Sequence, residues 1–291
     1  MAVRARTAEL NLRSLIGRFR RNARRLRAKA APGSSTGPIC VVAILKDEER
    51  FLEEWLAYHR LIGVDHFLLY DHAAEQPLEA LLAPHRGYVT VIDWSKDDPS
   101  LAGDTAQLRA YAHALGILPP DCSWVSFLDG DEFIVLRQHE TLRDFLGEFD
   151  DFGAIRLNWH VFGHNGHFDD PKGLITAALT RRMAAPSVRT KAISRPQAIG
   201  RLRSSHWCDL EPGWATADAN GRRYADVLHP GKTDVAHIDH YQCRSFRSWM
   251  SRVERGDVSF DREDVPPEHR WRLDADECLR QFVERARRER G

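Results

Sequence analysis

Ile39 to Leu45 is an unbroken, mostly β-branched apolar run, the pattern of a strand covered on both faces. Apolar positions then recur at steps of three and four, at Phe51, Trp55, Tyr58 and Ile62. This spacing predicts an amphipathic helix over 49–62, ended by Gly63. The alternation continues with a strand over 65–71, a short helix over 76–83, a strand over 87–94, a helix over 102–118 stopped by Pro119-Pro120, and a strand over 123–128. Strands joined through helices of this length require a mainly parallel sheet with helices on both faces. In such α/β sheets ligands bind beyond the carboxyl ends of the strands. Asp47, Asp71 and Asp129 all fall at those ends, so one crevice is expected to collect them.

The second half is less regular. Strands are predicted over 153–159, 189–194 and 236–241, and a His- and Gly-rich loop over 160–173. Phe246, Trp249, Met250 and Val253 share one face of a helix over 245–255, with Ser245 as its N-cap and Gly256 behind it. After Pro266-Pro267 a charged helix carrying Leu279, Phe282, Val283 and Ala286 closes the chain. The expected organisation is therefore a basic arm and linker over 1–37, a catalytic-type domain over 38–256 and a helical extension over 257–291.

Composition changes this picture in two places. The formal charge is zero over 291 residues, yet residues 1–30 carry about +9, which leaves about −9 for the rest. That asymmetry excludes a nucleic-acid binder driven by overall basicity and marks one end as basic. Leu12, Leu15, Ile16, Phe19 and Leu26 lie among those arginines. A solvated arm and an interfacial helix on anionic membrane are both compatible with that pattern. The five cysteines are scattered and never spaced Cys-X-X-Cys, which indicates neither a disulfide framework nor a zinc knuckle. A reducing cytoplasm, with peripheral contact at the inner membrane face, is the expected setting. No apolar run is long enough to span a bilayer.

The sharpest chemistry sits at Asp129-Gly130-Asp131, directly after the apolar Trp124-Val125-Ser126-Phe127-Leu128. An extended backbone alternates its side chains, so 129 and 131 are expected on one side. Gly130 is expected to permit a turn and a close approach of an anion. Two hard carboxylates suit Mg²⁺ or Mn²⁺, ions that commonly bridge to phosphate oxygens. Gln107, on the helix before this strand, is placed to orient donor hydroxyls, the plain alternative being a solvent-facing polar position. Lys191 and Arg195 are an even number of residues apart and share a strand face.

Several stretches together resemble a known family. They are Lys46-Asp47-Glu48-Glu49, Glu54-Trp55, Tyr58-His59-Arg60-Leu61-Ile62-Gly63-Val64-Asp65-His66, Phe127-Leu128-Asp129-Gly130-Asp131-Glu132-Phe133, Asn158-Trp159 with Phe162-Gly163, Lys191-Ala192-Ile193-Ser194-Arg195-Pro196 and His240-Tyr241-Gln242-Cys243-Arg244-Ser245. In order and spacing they resemble the family 2-like and family 92-like glycosyltransferases over about residues 38–256. The resemblance implies a GT-A fold, a Rossmann-like sheet that binds a nucleotide-diphosphate sugar, foremost a UDP-sugar, with Mn²⁺ or Mg²⁺. It implies Asp129, Asp131 and His240 as metal ligands, with His237 and His206 as competitors for the third place. It makes Lys191 and Arg195 a phosphate clamp, against the reading of exposed charges on an edge strand. Asp47 and Asp71 would meet base and ribose, although the family usually shows Asn where this chain has Asp47.

The implied reaction is sugar transfer to a glycan or lipid-linked acceptor, in polysaccharide biosynthesis, by an inverting mechanism that needs a base. Asp169 is taken first for that role, with Asp170, His167 and Glu211 beside it, and the loop 160–170 is expected to line the acceptor side. Two alternatives stand. A nucleotidyltransferase of the same fold lacks support, because no Gly-rich loop with Arg and Lys follows Ile39 to Leu45. A catalytically silent glycan-binding or membrane-tethering module would keep the fold without turnover.

Overall fold

The computed structural model of the chain describes residues 37–72, 76–96, 105–223 and 232–254. The basic arm and the C-terminal extension expected from the sequence lie outside them. The described residues fall into two compact units. One ends at Asn158 and resumes over Val188–Ile238; the other comprises Trp159–Ser187 and the chain from Asp239 onward.

The first unit begins as the apolar pattern predicts. Strand β1 (Ile39–Leu45) leads to helix α1 (Glu49–Leu61), then β2 (His66–Asp71), the short α2 (Leu78–Leu81), β3 (Val89–Asp93), α3 (Ala106–Ile117) and β4 (Trp124–Phe127). β1 pairs in parallel with both β2 and β4, and β2 in parallel with β3. Gly63 follows α1 at φ +106, a conformation that costs a residue without Cβ little, which is why the helix stops there. Thr105 caps α3 by accepting from the Leu108 N–H at 3.2 Å.

Both faces of this parallel half are covered. Cys40, Val42, Leu68 and Tyr70 alternate onto one face and pack with Ala110, Tyr111 and Ala114 of α3, where the small residues let the helix sit close. On the other face Trp55 of α1 packs against Phe67, with ring centroids 5.5 Å apart. The mainly parallel α/β class is thus present as expected.

Beyond β4 come β5 (Glu132–Leu136), α4 (Leu142–Leu146), β6 (Ala154–Val161), α5 (Ile175–Ala178), β7 (Thr190–Ser194), β8 (Ile199–Leu202), β9 (Cys208–Leu210), β10 (Thr216–Asp218), β11 (Ala236–His240) and α6 (Phe246–Glu254). The large sheet runs β3-β2-β1-β4-β7-β6-β11-β5, with β10 on β6, and β8 and β9 form a separate hairpin. β7 is antiparallel to both β4 and β6, so the parallel order ends at β4. Strands β5 and β10 and helix α4 were not legible in the apolar pattern.

Helix α1 does more than cover the sheet. Its Trp55 indole donates to the Glu132 carbonyl at 2.8 Å, and the Tyr58 hydroxyl donates to the Ile134 carbonyl at 2.9 Å. His59 Nε2 accepts from the Ile134 N–H at 3.3 Å, which leaves Nδ1 to donate to the Trp55 carbonyl at 2.9 Å. That pair of bonds fixes one neutral tautomer. Burial is the main reason its pKa is pushed down to about 4, the carbonyl bond opposing the shift. The Trp55 and Tyr58-His59 stretches therefore hold β5, and with it Glu132, against the helix.

One cysteine departs from expectation. Cys243 is disulfide-bonded, whereas Cys40, Cys122 and Cys208 are free thiols. The cysteine spacing indicates no such bond. Among the described residues no helix is long and apolar enough to cross a membrane.

Candidate active site

The carboxyl ends of β2, β1 and β4 lie side by side in the first unit, and each delivers an aspartate. Asp71 is the last residue of β2, Asp47 follows β1 and Asp129 follows β4. Asp47 sits at φ 57, a left-handed turn conformation that Asp and Asn tolerate better than other residues with a Cβ. One Asp71 oxygen accepts from the Leu78 N–H at 2.9 Å and so ties β2 to the first turn of α2.

The chain turns at Asp129 rather than running on extended. The Glu132 N–H donates to the Asp129 carbonyl at 3.1 Å, and the Asp129 N–H donates back to Glu132 Oε2 at 2.8 Å. The alternation expected for an extended strand does not apply there, and the two acids differ. The Asp129 side chain is 34% exposed, whereas Asp131 is buried. Gly130 is required by packing: a Cβ there would stand 2.9 Å from a Leu45 methyl and 3.2 Å from Glu48 Cγ. The space expected for an approaching anion is taken by the chain itself.

Both Asp129 oxygens are held. Gln107 Nε2 donates to Oδ1 at 2.9 Å and also reaches the Tyr111 hydroxyl at 2.8 Å. The Lys191 ammonium donates to Oδ2 at 3.0 Å and lies 3.2 Å from Glu132 Oε2. Lys191 is 1% exposed and Glu132 is fully buried. Burial pulls the lysine pKa down, but the charges of Asp129 and Glu132 more than reverse it and hold the pKa above its ordinary range. Burial likewise raises the pKa of Tyr111, so its hydroxyl stays protonated.

The structure thus unites Asp129, Gln107 and Lys191, and adds Glu132 and Tyr111, which sequence reasoning missed. Their one sequence signal was position: Glu132 adjoins the acidic pair, and Tyr111 lies one helical turn after Gln107. Arg195 is elsewhere. Its guanidinium lies over the Trp124 ring at 4.2 Å and donates to the Phe152 carbonyl at 3.1 Å and, more weakly, toward Phe149 and Asp150. Trp124 opens β4 and Asp129 follows its end, so Lys191 and Arg195 serve opposite ends of that strand, about 15 Å apart. The two residues that the resemblance implies as a joint phosphate clamp are not brought together.

The remaining candidates are placed as follows. His237 Nδ1 lies 3.1 Å from the Thr233 carbonyl, and His206 Nδ1 lies 3.3 Å from the Thr190 carbonyl. In the second unit His240 is buried against Trp159, ring centroids 4.5 Å apart. Asp169 is 69% exposed and accepts from Arg247 Nε at 2.6 Å. Asp170 accepts from the Ser245 and Ser248 hydroxyls at 2.6 and 2.5 Å, which anchors the loop to the start of α6.

Carboxylate oxygens are the donor type a hard divalent ion takes, and each Asp129 oxygen has further lone-pair capacity beyond the bond from Gln107 or Lys191. Among the described residues no group of three or more His, Cys, Asp and Glu is arranged to hold a metal. An ion held at the acidic turn would complete its coordination with water and substrate oxygens. A groove of about 440 Å³ in the first unit is lined by Gln138, His139, Glu148, Phe149 and Asn220, none of them from the acidic turn.

An α/β sheet with acids gathered at the carboxyl ends of its parallel strands places the chain in the α/β class, with a candidate ligand site at those ends. The comparisons with known proteins narrow this. The family described as Glycosyltransferase family 92 matches residues 38–279, and the chain belongs to that family. It is 34% identical over 167 residues to a family 92 protein of Oryza sativa subsp. japonica, covering 55% of this chain and 27% of that protein. It is 30% identical over 199 residues to one of Ricinus communis, covering 65% and 34%. The chain thus spans about a third of the length of the curated relatives it matches. Among solved structures it is similar to glucosyl-3-phosphoglycerate synthase from Mycobacterium tuberculosis in complex with Mn²⁺, UDP and glucosyl-3-phosphoglycerate. That match has a TM-score of 0.34 and 13% identity, and covers 58% of this chain and 61% of the other. It is also similar to a mannosyltransferase from Pyrobaculum calidifontis in complex with GDP-Man and Mn²⁺, with a TM-score of 0.31 and 15% identity, covering 48% and 41%.

Proposed function

We propose that this family 92 chain is a glycosyltransferase that moves a sugar from a nucleotide-diphosphate donor, a UDP-sugar first, to a glycan or lipid-linked acceptor with inversion at the anomeric carbon. The observation that carries the reading is the collection of Asp71, Asp47 and Asp129 at adjacent carboxyl ends of parallel strands. Asp47 and Asp71 would meet the nucleoside. Asp129 and Asp131 would hold Mn²⁺ or Mg²⁺, with water and substrate oxygens in the other coordination places. Such an ion, when bound, supplies positive charge to the leaving diphosphate, worth several kcal/mol in the transition state.

The chain's own groups do the rest. Gln107 and Lys191 fix the Asp129 carboxylate by one hydrogen bond to each oxygen, so its direction is set before substrate arrives. Asp169 is the proposed base that takes the acceptor hydroxyl proton. The arginine-rich segment 1–30 would add contact with anionic membrane, each basic residue near the surface contributing about 1 kcal/mol.

Thermal stabilisation by a panel of nucleotide sugars, with Mn²⁺ and with chelator, tests the reading, since a ligand bound by the folded state alone raises its apparent stability. A Mn²⁺-dependent shift for one donor, lost in Asp131→Ala, is expected. No shift with any donor, together with glycan binding, would favour the silent module instead.

A further inference from the structure

Lys191 is the least expected member of the acidic turn. A lysine left 1% exposed loses its hydration, and this one is paired with the carboxylates of Asp129 and Glu132. Its ammonium touches the same carboxylate that is proposed to hold the divalent ion. The turn fixes that arrangement, because Glu132 is bonded through Oε2 to the Asp129 N–H as well as to Lys191. Glu132 is held in turn by the bond from the Trp55 indole to its carbonyl. The ammonium thus lies on the carboxylate that would receive the ion, and a cation entering at Asp129 meets a positive charge already in place.

We propose that Lys191 is a counter-charge that makes the acidic turn refuse a bare divalent ion and accept the ion as a chelate of a nucleoside diphosphate. The inference rests on the donor reading above and adds an order of binding to it. Bare Mn²⁺ is repelled by the ammonium at the distance of one carboxylate, in a partly buried site where screening is weak. A diphosphate carries its own negative oxygens, which lower the net charge of the incoming ion and add attraction to Lys191. Metal and nucleotide then bind together, and the ion is not held idle between turnovers. Lys191 is in this account a positioning residue: it touches Asp129, not the reacting atoms.

Counting free Mn²⁺ by electron paramagnetic resonance, with the full chain alone and then with UDP or GDP, tests the proposal. Bare Mn²⁺ is expected to bind the wild type at least about tenfold more weakly than Mn²⁺ with nucleotide, a difference of about 1.4 kcal/mol. Lys191→Met is expected to tighten bare Mn²⁺ about tenfold and shrink the nucleotide's advantage, whereas Lys191→Arg keeps the wild-type order. Should Lys191→Met fail to fold, the wild-type comparison decides alone. Bare Mn²⁺ bound by wild type as tightly as with nucleotide overturns the counter-charge and leaves the donor reading intact. So does a folded Lys191→Met that binds bare Mn²⁺ no better than wild type. If neither UDP nor GDP changes a weak Mn²⁺ affinity, the donor reading fails and the order of binding falls with it.

Discussion

The two ends of β4 carry the same kind of cation in opposite circumstances. At the carboxyl end the Lys191 ammonium is enclosed with Asp129 and Glu132. At the other end Arg195 lies flat over Trp124 and satisfies loop carbonyls, while its acidic neighbour Asp150 is 85% exposed. Arginine suits the second place because its planar group stacks and is weakly hydrated. Lysine suits the first because a compact charge fits between two carboxylates. Both side chains are largely enclosed, at 1% and 14% exposure, so the partners met at each end of β4 separate the site-forming charge from the fold-supporting one.

Removing each cation in turn is the strongest way to break that contrast. Lys191→Met leaves Asp129 and Glu132 without their ammonium and should cost about 3–5 kcal/mol in urea unfolding. Arg195→Met loses a cation–π contact and carbonyl bonds and should cost about 1–2 kcal/mol. Equal losses would show that the two ends do not differ as described.

A second effect comes from His59, which holds β5 and so Glu132. Its folded pKa of about 4 lies below the ordinary 6.5, so between those values the unfolded chain binds more protons. Stability from this group is therefore complete above pH 6.5 and lost as pH falls toward 4, by up to about 3 kcal/mol. Unfolding free energies across that range should show this slope, and His59→Gln should flatten it.

Much of this was open to a reader of the chain, and the parts that were not share one cause. β1, α1 and the three strand-end aspartates follow from local period and composition, because each is set by residues close in sequence. The β7 pairing with β4 and β6 is antiparallel, and no local pattern encodes a partner 66 residues away such as Ser126 to Ala192. Lys191 lies in β7 but Arg195 follows the strand's end, and parity along the chain says nothing of which partners each side chain meets. Asp129 and Asp131 follow the predicted strand over 123–128, and nothing local announces that Glu132 closes a turn on Asp129. Gly130 was seen as room for a ligand, whereas Leu45 and Glu48, far off in sequence, fill that room.

Smaller effects sharpen the contrast further. Trp55→Phe keeps the ring but drops the indole bond to the Glu132 carbonyl, at a cost of about 1–2 kcal/mol, and should loosen nucleotide binding by displacing Glu132. Arg247→Ala breaks an ion pair exposed by about two thirds on each side and should change stability by less than about 1 kcal/mol. Asp169→Asn should be as mild for stability yet lower kcat, if Asp169 is the base. Unchanged kcat in that variant moves the base elsewhere.

The central claim is that the carboxyl end of β4, and not its other end, receives the metal-bound diphosphate. Crystals grown with Mn²⁺ and UDP, measured at the manganese absorption edge, test it most directly. The account predicts one anomalous peak within coordination distance of Asp129, with the diphosphate on the ion and Lys191 still on the carboxylate. A peak at the Arg195 end, or a diphosphate held by Arg195 and Asp150 without Asp129, would contradict it.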